Sequence, residues 1–246
     1  MASPTPSSLA DAIAAAQAWW REAGVDLAYQ DEPRTWLAPE RTEERVETRP
    51  APAAVSEKQH IGGDRGGWPG DLASFRQWWL EEPSLDPGGT RGRLAPRGPA
   101  RAPLMVLVPM PEAEDRDALL SGPQGRLLGN MVRAMGFAAE AIYFAAALPR
   151  HTPSADWGAI VDAGMGQVLR HHLELAAPQR LLVLGRDVLP LLGHDLAQAA
   201  PAVSELSIQS GKLPLLSSYA PGRLLEHPRP RSELWRRWLD WTGTGE

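Results

Sequence analysis

Hydrophobic and polar positions change rhythm three times along the chain. In LADAIAAAQAWWREA, Leu9, Ile13, Ala16 and Trp20 recur at helical spacing, with Ser7 or Ser8 placed to cap and Gly24 to stop the run. An amphipathic helix is predicted there, inside an N-terminal helical segment over residues 1–37 that docks on something. Residues 38–70 lose all apolar periodicity and are rich in Pro, Gly and charge, which predicts a flexible linker. Asp71 then caps LASFRQWWLEE, where Leu72, Phe75 and Trp79 form one stripe, and a loop with Arg91, Arg93, Arg97 and Arg101 follows.

Beyond residue 103 the pattern alternates. Continuous apolar runs at 104–110, 141–148, 180–185 and 213–219 have the length and composition of buried parallel strands. Helical patterns at 125–135, 156–175 and 231–241, and a short one beginning at Arg186, lie between and after them. This predicts an α/β domain over 71–243, a three-layer α/β/α arrangement on a parallel four-stranded sheet, with the N-terminal helix as an extension.

Composition narrows the chemistry. The chain has 246 residues, 43% of them hydrophobic, and a net charge of −5, which argues against wholesale coating of nucleic acid but not against a local basic patch. All cations but Lys58 and Lys212 are arginine, and a guanidinium fork suits phosphate oxygens. The cysteine count of 0 excludes disulfides, thiolate zinc sites and cysteine-ligated iron–sulfur clusters. No metal and no cofactor are expected. The N-terminal run lacks a basic region and is interrupted by Asp11, so it does not read as a signal peptide. No stretch approaches the ~20 apolar residues of a membrane helix, and a cytoplasmic location without a membrane partner is expected.

In an open α/β sheet, ligands sit outside the carboxyl ends of the strands. The loops there carry Glu112, Glu114, Asp115, Arg116, Asp117, His151, Ser217, Ser218, Tyr219 and Arg223. In the acidic run 112–117, one carboxylate can activate water, or the group can simply be solvated at a helix start. His151 is the one plausible metal partner for these acids, and mid-helix His171 and His172 are not read as catalytic. Ser217 and Ser218 lack a GxSxG context, and no GxGxxG or Walker A motif is present. Trp235, Trp238 and Trp241 recur three residues apart on the last helix, a spacing read as a core stripe rather than a base-stacking platform.

Taken in order, EDR (114–116), GRLLGNMVRAMG (125–136), IYFAAAL (142–148), TP (152–153), VLRHHLELAAPQRLLVLG (168–185) and YAPGRLLEHPRPRSELWRRW (219–238) resemble the uracil-DNA glycosylases. The resemblance is to the bacterial iron–sulfur-carrying (family 4-like) enzymes and covers about residues 71–241. It implies a base-flipping fold with a GEAPG-like first loop, a stacking Phe after EDR, an Asn ending the second strand and a His-Pro pair after the last. This chain departs at each point. Met110 lies near the place of the acid, Leu119 or Leu120 near the Phe, Ala146 at the Asn, and Ala220 at the His with Pro221 retained. The four cluster cysteines are absent. Losing one preorganised donor to a developing oxyanion costs about 3–4 kcal/mol, so ordinary base excision is not expected. Glu112, Glu114 and Tyr219 are the residues that a relocated catalytic site would use.

The expected function is therefore a catalytically degenerate glycosylase-like protein that binds DNA or docks a protein in repair or damage tolerance. Arg223, Arg229 and Arg231 would contact phosphates and Leu224 or Leu225 would wedge into the stack, while the N-terminal helix with Trp19 and Trp20 would pack on its own domain or hold a protein partner. An active glycosylase with relocated groups, and an interaction module without nucleic-acid binding, stay open.

Overall fold

The computed structural model describes residues 8–24, 60–86, 91–194 and 203–243. The chain divides into two units, Met1–Ala53 and Ala54–Glu246.

The first unit contains α1 (Leu9–Glu22). Ser8 accepts from the Asp11 amide while the Asp11 carboxylate accepts from Ser8, so two of the orphan amides of the first turn are satisfied reciprocally. Every residue of the helix is exposed. The remainder of the predicted 1–37 segment, and linker residues 38–59, lie outside the described residues.

In the second unit four strands are parallel: β1 (Met105–Val108), β2 (Tyr143–Ala146), β3 (Leu181–Leu184) and β5 (Gly211–Ser218). A fifth strand, β4 (Val203–Ile208), pairs antiparallel with β5 and gives the order β2-β1-β3-β5-β4. Its short pattern of mixed polarity, that of a half-exposed edge strand, is too weak to predict it from sequence. The predicted three-layer α/β domain is otherwise present.

Alternation along the strands sends side chains to two cores. Met105 and Leu107 join Tyr143, Ala145, Leu181 and Val183 on one face, covered by α2 (Leu72–Glu81), α4 (Trp157–Asp162) and α5 (Met165–Ala176). Leu104, Val106 and Val108 join Phe144, Ala146, Leu182 and Leu184 on the other, covered by α3 (Pro123–Ala134), α6 (Pro221–Glu226) and α7 (Pro228–Gly243). The single helix expected over 156–175 is two, because Gly164 between them takes a left-handed conformation at φ +95° that ends α4 and starts α5.

Residues 60–70, expected in the linker, belong instead to the domain. The Ile61 amide donates to the Ala163 carbonyl, Ile61 is buried, and the Trp68 indole donates to Gly62 and packs on His171. Their apolar anchors are too sparse to show periodicity.

Candidate functional site

The loops after the parallel strands meet where a ligand would sit in an open α/β sheet. The first, between β1 and α3, is built around two buried carboxylates. Glu112, 3% exposed, accepts from the Gln124 and Gly125 amides at 2.8 and 2.7 Å, which caps the first turn of α3. Asp115 accepts from the amides of Glu112, Leu120, Ser121 and Gly122 and from the Ser121 hydroxyl. Glu112, expected as a catalytic candidate, is thus engaged through both oxygens in shaping its own loop. Glu114, Arg116 and Asp117 are exposed.

That scaffold presses apolar side chains into the strand ends. Leu119, Leu120, Val108, Ala146, Leu184 and Leu224 are buried in one cluster. Ala146, at the position where the resemblance implies a base-reading amide, is 3% exposed. Pro109 lies against Gly185, where a Cβ would fall 2.5 Å from its Cγ and 3.8 Å from the Ala220 Cβ. Gly185 has φ +130°, so the turn after β3 needs glycine both for its backbone and for this contact. Met110 is half-buried at the mouth, and its sulfur accepts the Thr152 amide at 3.4 Å. His151 is turned inward as a brace, its Nδ1 2.9 Å from the Pro111 carbonyl. Of the pocket-lining positions named from sequence, Leu119, Ala146 and Pro221 are buried and Met110 and Ala220 half-buried, all near the strand ends.

Arginine does part of this assembly. Arg97 is joined antiparallel to Phe144 at the edge of β2; its Nε donates to the Leu119 carbonyl at 2.8 Å and its guanidinium lies over the Phe144 ring. Arg93 and Arg150 both pair with Asp86, whose side chain is 3% exposed. Sequence reading misses these roles, since an Arg-rich loop carries no sign of which carbonyls its side chains will reach.

The loop from β5 to α7 sorts the other candidates. The Tyr219 hydroxyl donates to Glu233 on α7 at 2.9 Å, so it is directed to the outer helical layer. Arg223 is exposed and stacks over the Tyr219 ring at 5.0 Å. Arg231 donates to the carbonyls of Leu224 and Leu225 and so closes the C-terminal end of α6. Arg229 is exposed. Leu224 is corrected as a wedge: at 0% exposure it is core, and of the pair only Leu225 faces solvent. Ser217 is half-buried, and the Ser218 hydroxyl, at the end of β5, is buried with no hydrogen-bond partner among the described residues.

Away from the strand ends, His172 is fully buried against Phe75 and Trp79, with Nε2 2.8 Å from the Tyr143 hydroxyl. Burial, then the charges of Arg76 and His171, push its pKa down to about 3. Burial raises the Tyr143 phenol to about 12. This is a structural pair in the core between α5 and β2. Among the described residues no His, Cys, Asp and Glu cluster could hold a metal ion, and no helix is long and apolar enough to cross a membrane.

A mostly parallel sheet with helices on both faces and loops gathered at the strand ends defines an open α/β domain. The family model described as the uracil DNA glycosylase superfamily matches residues 95–242, and the chain belongs to that superfamily. No curated protein matches it.

Proposed function

We propose that this chain is a glycosylase-fold DNA-binding protein of repair or damage tolerance that does not perform ordinary uracil excision. The observation that carries this reading is the apolar packing at the strand ends. A flipped base needs an enclosed space with a stacking ring, an edge-reading amide and a donor to the departing anion. This reading is supported by the burial of Leu119, Leu120 and Ala146 in one apolar cluster and by the close approach of Pro109 to Gly185.

DNA binding is supported by Arg223 and Arg229, both exposed on the segment that leads from the strand ends into α7, with Leu225 exposed between them. The test is affinity for an undamaged duplex as a function of salt. The slope of log affinity against log salt becomes shallower by about 0.9 for each phosphate that is no longer neutralised. The Arg223→Ala/Arg229→Ala double variant should therefore bind more weakly than wild type and with less salt dependence. Equal slopes would remove these arginines from the interface.

A second role is favoured by α1. Its Leu9, Ile13, Trp19 and Trp20 side chains are all exposed on a helix with both halves of a capping box in place. Such a helix suits the apolar groove of a protein partner. Loss of a captured partner from a Trp19→Ala/Trp20→Ala variant, with DNA binding unchanged, is the expected result.

A further inference from the structure

The outer face of the domain carries an open groove between α3 and α7, lined by Met131, Arg231, Ser232, Trp235 and Arg236. It lies outside the strand-end crevice. Its floor is the half-buried Met131 and Trp235, and its rim is arginine. The three tryptophans of α7 do not behave alike. Trp238 is buried between Phe137 and Trp241, and Trp241 is covered by Arg180, whereas Trp235 is the one that lines the groove.

Charge on this face is unbalanced. Glu233, the acid of α7 nearest the groove in sequence, is taken up by the Tyr219 hydroxyl and by Arg237. Arg229 and Arg236 are both exposed. Arg231 uses one terminal nitrogen to hold α6, which fixes its guanidinium at the head of the groove. An aromatic floor with cations along its edge complements a ligand that is flat and apolar in one part and anionic in another. Unpaired nucleotides have that chemistry, because each exposes a base face and one phosphate. A duplex does not, since its bases are stacked out of reach. Arg229, on the segment proposed to contact phosphates, lies in the first turn of the same helix α7.

We propose that the α3–α7 groove binds single-stranded DNA, with Trp235 stacking a base and Arg231 and Arg236 neutralising the flanking phosphates. The inference rests on the DNA-binding reading above and assigns it a second, strand-selective contact. A strand leaving the strand-end loops would run down α7 rather than across the sheet.

The test measures, at low salt, binding of the full chain to a short fluorescein-labelled oligothymidylate and to a duplex of the same length. Four proteins are compared: wild type, Trp235→Ala, Arg236→Glu and Arg223→Ala/Arg229→Ala. Trp235→Ala should weaken oligothymidylate binding by about 5- to 150-fold, the range for losing one base stack, with duplex affinity unchanged. Arg236 is exposed, so Arg236→Glu reports on the groove even where Trp235→Ala impairs folding, and it should weaken the single strand selectively too. If both groove variants bind oligothymidylate like wild type while the double variant loses duplex, the groove inference is overturned and the DNA-binding reading survives. Displacement of the single strand by an acidic peptide at lower concentration than by unlabelled oligothymidylate overturns it in favour of a protein ligand. Binding of neither nucleic acid by wild type overturns both readings.

Discussion

Glu112 shows how one side chain can be chemically capable and structurally committed. Both of its oxygens accept amides of the first turn of α3. Glu112→Gln replaces one acceptor by a donor facing an amide and removes a negative charge from the helix start. It should cost about 1–3 kcal/mol in urea denaturation, whereas Glu114→Gln, on an exposed side chain, should stay within about 0.5 kcal/mol. His172 makes a second residue-scale prediction. Its folded pKa of about 3 lies below the ordinary 6.5, so the fold holds the neutral ring and the unfolded chain takes up the proton. Stability from this group is complete above pH 6.5 and is lost as pH falls toward 3, the loss amounting to about 2 kcal/mol at pH 5. A His172→Gln variant should show a flatter fall between those limits, and an unchanged profile would mean that other groups dominate the acid response. Neither role is legible in the sequence, because Glu112 and His172 are assigned by partners 12 and 29 residues away.

At the scale of elements, strands β1, β2, β3 and β5 are legible because buried parallel strands are apolar on both faces, and the sheet splits their side chains between two cores. The α4–α5 break and β4 are not. The first depends on one backbone angle at Gly164, and the second on pairing with a neighbour rather than on its own pattern. The turn after β3 carries the element-scale prediction. Gly185→Ala places a Cβ 2.5 Å from Pro109 Cγ on a backbone at φ +130°. Strain of about 1–3 kcal/mol and overpacking of about 1–3 kcal/mol act together there. Its denaturation midpoint should fall well below that of Gly243→Ala, where nothing lies within 4 Å of the added carbon. Equal midpoints would show that the Pro109–Gly185 contact is not tightly packed.

For the whole molecule, a superfamily frame over residues 95–242 is retained, with apolar side chains packed together at its strand ends. The order and spacing of the matching segments make the frame readable. Substitution at Ala146 and Ala220 is readable too, but the packing is not, because it depends on how Asp115, Glu112 and Arg97 fold the first loop onto the strand ends. A molecule of this kind is expected to use DNA as a surface to hold, not a substrate to cleave. The decisive measurement is release of free uracil from single- and double-stranded oligonucleotides carrying one uracil, at high protein concentration over hours, with retention of the same oligonucleotides recorded in parallel. Retained DNA with no uracil released is the expected result. Uracil release by wild type that is lost in Glu114→Ala would contradict it and place a rebuilt catalytic site on the first loop.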